Sequence, residues 1–150
     1  MLATVIAVLG TLLGAVVAGV IQHRTARAGR DAVRTDQRTA RELDAVTALA
    51  SAVAAHRRAM AVREDLRLTG DAPDAYAAAR AESHATRSAI EAPRVLVSIL
   101  VPALAPAADE AAKASYALRG ARDLDTLAAR REAAIAAADR FTAAAARHFA

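Results

Sequence analysis

The chain has 150 residues, of which 46 are alanine and none is cysteine, so disulfide bonds and thiol chemistry are excluded. Its formal net charge of +4 comes from residues 22–41, which carry six arginines against two aspartates, whereas the 14 basic and 14 acidic residues beyond position 41 cancel. This is therefore not a generally basic protein, and its alanine-rich composition without tryptophan is typical of helices packed closely on helices.

The first 21 residues contain no charged side chain, and eleven of them are leucine, isoleucine or valine. As a helix they would extend about 31 Å, which matches a hydrocarbon core of about 30 Å. We predict an uncleaved transmembrane anchor over residues 1–22. A cleaved signal peptide and a buried soluble helix are the alternatives, but a signal peptide carries its positive charge before the apolar run.

Arginines directly follow the predicted anchor, and such an excess of positive charge keeps the segment that carries it on the cytoplasmic side of the membrane. We therefore expect a single-pass protein of the cell membrane, with a short N-terminus outside and the C-terminal helical domain in the cytoplasm.

Small residues share one face of the predicted anchor, at Gly10, Gly14 and Ala18. Such faces let membrane helices approach closely, so this spacing favours a membrane-helix packing face. Because glycine and alanine are common in membrane segments, the same pattern also arises from composition alone.

A basic juxtamembrane helix is predicted over residues 23–42. Its arginines fall within about 120° of one helix face and form a basic stripe of six residues: Arg24, Arg27, Arg30, Arg34, Arg38 and Arg41. Three interpretations remain open for this stripe: a solvated topology signal, a protein or lipid contact, and nucleic-acid binding. No aromatic residue lies beside the stripe for base stacking, so nucleic acid is the least favoured.

No proline occurs before Pro73 and no glycine between Gly29 and Gly70, so the anchor is expected to continue as one helix to about Leu68. Along it, residues recur with helical spacing and predict a packing seam: Leu43, Val46, Leu49, Val53, His56, Met60 and Leu66. Nearby charges at residues 56–67 favour salt bridges between helices, with a partner-binding site as the alternative.

Three further helices are predicted. The second follows an Asp71 cap, covers residues 72–91 and ends before Pro93. The third runs from about Pro106 to Arg119 with Gly120 as its C-cap, and the last runs from Asp123 or Asp125 to about His148. The apolar residues 94–105 between them are interpreted as a short buried helix, a re-entrant or interfacial segment, or a strand.

The expected fold is all-α: a transmembrane helix continues into a long helix that packs with about three others as an antiparallel bundle over residues 43–150. The last helix should bury one face: Leu124, Leu127, Ile135, Ala138, Phe141 and Ala145. Four of these residues are expected to pack against the seam of the first helix: Leu124, Leu127, Ile135 and Phe141. Large apolar side chains are few, and a core of this kind is marginal alone. We therefore expect a homo-oligomer.

No enzyme signature is present. His23, His56, His84 and His148 lie far apart, and neither a metal-ligand motif nor a glycine-rich phosphate loop occurs. We accordingly predict no catalytic residues, no cofactor and no metal site.

Four segments carry a resemblance to a known family: IAVLG (6–10), HRRAM (56–60), RAESHA (80–85) and SYALRG (115–120). Through them the chain resembles, over nearly its full length, the KilB-like small membrane proteins of streptomycetes. The resemblance implies a role at the membrane in plasmid transfer, or in spread between hyphal compartments of a filamentous actinobacterium. It supplies no functional residues, because none of the four segments is a catalytic motif.

These observations favour a membrane-anchored, non-enzymatic interaction protein whose partners are the lipid membrane, further copies of itself and an unidentified protein. The alternative is a membrane-tethered DNA-binding accessory protein that uses the basic stripe. Phosphate contacts would then make its affinity for DNA fall steeply with salt.

Overall fold

The structure is a computed structural model that describes the backbone of residues 2–70 and 72–150, and the side chains of residues 33–70 and 72–150. Every regular element among the described residues is a helix. In chain order they are α1 (Leu2–Thr69), α2 (Pro73–Leu100), a 3₁₀ turn (Pro102–Leu104), α3 (Ala105–Tyr116) and α4 (Leu124–Phe149). The predictions of an all-α fold and of one long first helix are confirmed.

The chain divides into two compact units, residues Met1–Ala40 and Arg41–Ala150. Met1–Ala40 contains the first part of α1, whose described side chains from Val33 to Ala40 are exposed. Arg41–Ala150 is the helical bundle. The predicted anchor over residues 1–22, its Gly10, Gly14 and Ala18 face, and Arg24, Arg27 and Arg30 of the stripe lie outside the described side chains. Within the part of the chain that is described, none of the helices combines the length and apolar character needed to cross a membrane.

Contacts between helices give the order of packing in the bundle. His56 on α1 meets Thr86 on α2, while Arg63, two turns later on α1, meets Ser83, which lies earlier on α2. The two helices are therefore antiparallel. The helices α3 and α4 are also antiparallel. Arg140, late on α4, contacts Glu110 on α3, whereas Arg130, earlier on α4, contacts the carbonyl oxygen of Ala117 directly after α3.

The bundle core has two clusters. The larger joins α1 and α4 through Val46, Leu49 and Val53 on one side and Phe141 and Ala145 on the other. The smaller brings together Met60, Leu118 and Leu127. The predicted contact of Phe141 and Leu127 with the packing seam is thus confirmed.

The predicted end of the second helix before Pro93 is wrong, because α2 continues through Pro93 to Leu100. A proline inside a helix costs about 3 kcal/mol. Ile90 and Val97, on either side of it, are completely buried, and each such side chain contributes about 1.5–3 kcal/mol. Core packing on both sides therefore offsets the cost of the proline.

Residues 94–105 consequently form neither a separate short helix nor a strand. They comprise the end of α2, the 3₁₀ turn and the first residue of α3. Val97 and Val101 face the core, whereas Val95, Leu96 and Ile99 are exposed. The apolar run therefore has one buried side and one exposed side.

Smaller expectations also need correction. Leu43 and Leu124 are about half exposed, while Leu66, Ile135 and Ala138 are only partly buried. The inner face of α4 is instead formed largely by alanine, with Ala134 and Ala137 completely buried beside Phe141. Periodicity predicted the helix, but small residues decided which side comes closest to its neighbours.

The helix ends follow local rules in part. Asp123 caps α4 by accepting a hydrogen bond from the backbone N–H of Thr126 at 2.7 Å, as predicted. The N-cap position of α2 is Ala72 rather than Asp71, and α3 ends at Tyr116 rather than Arg119. Gly120, in the turn that follows α3, has a φ of +71°, which glycine adopts without strain.

Candidate functional site

A group of polar side chains lies inside the bundle where α1, α2 and the end of α3 meet. We call it the polar cluster, and its members are His56, Arg63, Glu64, Ser83, Thr86, Arg87 and Tyr116. Of these, His56, Arg63, Glu64 and Ser83 are buried. Burial of polar groups is costly unless hydrogen bonds compensate, so each of these side chains needs a partner.

Glu64 is 1% exposed and ties α1 to the turn between α3 and α4. Its Oε2 accepts hydrogen bonds from Arg67 Nε at 2.7 Å and from the backbone N–H of Gly120 at 3.0 Å. Arg67 also donates to the carbonyl oxygen of Ala121. The described ion pairs of residues 56–67 lie within α1, so the predicted salt bridges between helices are not found there. Glu64 instead links α1 to the turn after α3 through a hydrogen bond from backbone.

His56 is 1% exposed and lies at a position of the packing seam that apolar residues flank. Its Nδ1 is 3.1 Å from Thr86 Oγ1, and the Thr86 hydroxyl donates to the carbonyl oxygen of Glu82 at 2.9 Å. Because the proton of Thr86 is used there, its oxygen accepts from the N–H of His56 Nδ1. A neutral ring then carries a lone pair on Nε2, and this buried atom has no hydrogen-bond partner.

The ring of His56 is kept neutral at physiological pH. Burial, and after it the positive charges of Arg87 and Arg63, together lower its pKa to about 4. The lone pair on Nε2 is therefore a hydrogen-bond acceptor that faces cationic surroundings.

Tyr116 joins the histidine to an arginine. The two rings of His56 and Tyr116 meet edge to face with centroids 5.4 Å apart, and the guanidinium carbon of Arg87 lies 3.9 Å from the centre of the Tyr116 ring. This cation–π contact holds an exposed arginine against the half-buried aromatic side chain. Burial raises the pKa of Tyr116, and the nearby negative charge of Glu91 acts in the same direction.

A cavity of about 30 Å³ lies within the polar cluster. Eight residues line it: His56, Met60, Arg63, Ser83, His84, Arg87, Tyr116 and Arg119. Three of them are arginines, and none is acidic. Its wall is therefore positively charged, and three of the lining residues, His84, Arg87 and Arg119, are exposed.

Three of the four segments that carry the family resemblance meet at this place. Residues 56–60 supply His56 and Met60, residues 80–85 supply Ser83 and His84, and residues 115–120 supply Tyr116 and Arg119. From the sequence alone, these segments indicated a family but no common site. The available signal was His56, a polar residue in an otherwise apolar seam.

Only part of the predicted basic stripe is described. Its members Arg34, Arg38 and Arg41 are exposed on α1, and none of these three lines the cavity. Among the described side chains, no three potential metal ligands are grouped together.

Comparison with known proteins gives one family. The family described as KilB plasmid transfer protein matches residues 43–149. Protein KilB of Streptomyces lividans is 60% identical over 149 residues, which is 99% of this chain and 99% of that protein. No solved structure is similar. The resemblance seen in the sequence is therefore confirmed.

Proposed function

Because the chain belongs to the KilB family, we propose that it acts in plasmid transfer as a membrane-anchored helical protein that binds partners and catalyses no reaction. Protein KilB of Streptomyces lividans aligns with 99% of this chain, and the description of the family refers to plasmid transfer. Family membership is the observation that carries the role in transfer.

Sequence patterns support the membrane part of the proposal. The first 21 residues are uncharged, and six arginines follow within residues 22–41. Insertion of the eleven leucine, isoleucine and valine side chains favours the bilayer by about 3–7 kcal/mol before the polar residues subtract from it. The excess of arginine after the anchor supports a cytoplasmic location for the bundle, because positive charge favours that side of the membrane.

Deletion of residues 1–22 should move the protein from the membrane fraction to the soluble fraction and abolish its activity in transfer. In the assay, either form is expressed in donor cells whose conjugative streptomycete plasmid lacks its own KilB protein. The recipients that have received the plasmid are then counted. The full chain should restore transfer, whereas the deleted form should not, although its bundle stays helical by circular dichroism.

Two controls make this experiment decisive. A reporter that is active only outside the cell, fused after Ala150, should give no signal if the C-terminus is cytoplasmic. Full transfer activity from a soluble deleted form would show that the anchor is dispensable and would contradict the proposal. A strong external signal would contradict the orientation.

Self-association is the second part of the proposal. Eight of the 19 buried apolar residues among the described side chains are alanine, so the bundle buries little apolar volume per residue. Gly10, Gly14 and Ala18 would let two anchors pack closely. Together these features support a homo-oligomer that is held partly through the membrane.

Gly14→Ile should weaken association of the anchor about tenfold, because a branched side chain would separate backbones that nearly touch. A transmembrane association assay on residues 1–24 measures this effect. Val16→Ile, a branched residue exchanged for another off the small face, is the matched control and should behave as the wild type. Equal signals from Gly14→Ile and the wild type would mean that any oligomer forms through the bundle instead.

A further inference from the structure

The cavity in the polar cluster combines two features that the transfer role does not use. Arginine side chains line one small space, and His56, which also lines it, has a buried nitrogen without a hydrogen-bond donor. We propose that this cavity binds the terminal oxygens of a phosphate group that carries one proton, as inorganic phosphate or the monoanion of a phosphate monoester does.

The charge of the cavity wall indicates an anion. Arg63, Arg87 and Arg119 line it, and no carboxylate does. Glu64 of α1 is not among the lining residues, and it is already engaged by Arg67 and the N–H of Gly120. Guanidinium groups bind phosphate oxygens through charge-assisted hydrogen bonds, so these arginines would stabilise an oxyanion.

Arg63 is the innermost of the three arginines and still has bonding capacity. Its Nη1 donates to Ser83 Oγ at 3.2 Å, and the Ser83 hydroxyl donates onward to the carbonyl oxygen of Arg80 at 2.8 Å. Its Nε has no hydrogen-bond partner and lies 3.8 Å from Glu64 Oε1, which is beyond hydrogen-bond distance. A buried guanidinium N–H is thus available.

The histidine indicates that the anion carries a proton. The Nδ1 of His56 donates to Thr86, so its unpartnered Nε2 is an acceptor and would repel a fully deprotonated oxygen. A phosphate O–H would donate to that nitrogen while the other oxygens accept from arginine. Water could satisfy the nitrogen, but it would not neutralise the guanidinium charges.

The size of the cavity limits what enters. About 30 Å³ holds about two water molecules, or the outer oxygens of one phosphate group. An organic substituent would have to remain outside, past the exposed residues His84, Arg87 and Arg119. A phosphate diester has no ionisable O–H at neutral pH, so it lacks the donor that His56 requires.

Calorimetric titration of the full-length protein tests the proposal, with the protein in uncharged detergent micelles at about pH 6, where a large share of a phosphate monoester keeps its proton and His56 is still neutral. Inorganic phosphate and methyl phosphate should both bind, and sulfate and dimethyl phosphate should bind at least tenfold more weakly. Preference for inorganic phosphate over methyl phosphate would identify the free ion as the ligand, and the reverse would identify a monoester. Equal affinity for phosphate and sulfate would overturn the assignment of a protonated ligand.

Two charge-matched variants locate the site. Arg119→Gln removes an exposed arginine that lines the cavity, and Arg131→Gln removes an exposed arginine of α4 that lies in a different groove. We expect the first to weaken phosphate binding about tenfold and the second to leave it unchanged, with the melting temperature of both preserved. Equal losses in both variants, or no binding of phosphate at millimolar concentration, would overturn the proposal and leave the cavity to water.

A spectroscopic measurement gives an independent readout. In protein labelled with ¹⁵N-histidine, the Nε2 resonance of His56 should move when phosphate is added and remain in place with sulfate. A resonance that does not respond to bound phosphate would place the ligand outside this cavity.

Discussion

Phe141→Ala should lower the stability of the bundle by about 3–5 kcal/mol. Phe141 is 1% exposed and packs in the larger core cluster with Val46, Leu49 and Val53 of α1. Its removal would leave a cavity that the neighbouring alanines are too small to fill. Since small domains are stable by only about 5–15 kcal/mol, this is a large fraction of the total.

Thermal unfolding followed by circular dichroism measures this effect, and the midpoint should fall by roughly 10–20 °C. Leu124→Ala is the matched control, because Leu124 also lies on α4 and is 51% exposed. It should change the midpoint little. Equal shifts in the two variants would show that α4 does not pack on α1 as described.

Glu64→Ala should be about as destabilising, for an electrostatic reason. The carboxylate is buried and accepts hydrogen bonds from Arg67 and from the backbone of Gly120, and Arg63 lies beside it. Its loss would leave buried positive charge and an unpaired N–H, and breaking a buried pair in this way costs about 3–5 kcal/mol. The turn between α3 and α4 should loosen first, because Glu64 binds it directly through Gly120 and also holds Arg67, which binds the turn at Ala121.

Urea unfolding of the full chain is the measurement, with two comparison variants. Glu64→Gln retains an acceptor oxygen and should lose less stability than Glu64→Ala. Glu110→Gln removes an exposed carboxylate that pairs with Arg140 and should cost less than about 1 kcal/mol. If Glu64→Ala were as mild as Glu110→Gln, the carboxylate would not hold the turn.

Both variants probe features that the sequence revealed to different degrees. The burial of Phe141 followed from apolar spacing along α4, whereas Glu64 appeared only as one charge among several in residues 56–67. Sequence spacing places a residue on a face of its own helix. It does not say which backbone group of a distant turn will meet that face.

The polar cluster shows the same limit. His56, Arg87 and Tyr116 come from three helices and lie 29 to 60 positions apart along the chain. Their segments contributed to the family resemblance, but no motif joined them. The cavity, its arginines and the unpartnered nitrogen of His56 exist only because α1, α2 and α3 pack together.

The sequence by itself determined the helical class, the length of α1, an aspartate at the start of α4 and the family, because these depend on local propensity, capping or residue identity. It left the cap open between Asp123 and Asp125, and the structure has Asp123. Only the tertiary structure decided that α2 continues through Pro93, that Leu124 lies outside the core, and that the polar cluster forms. In each of these cases the free energy comes from contacts with another helix. Burial of Ile90 and Val97 against other helices outweighs the local cost of a proline. Helix propensities and capping preferences do not include the free energy of such contacts.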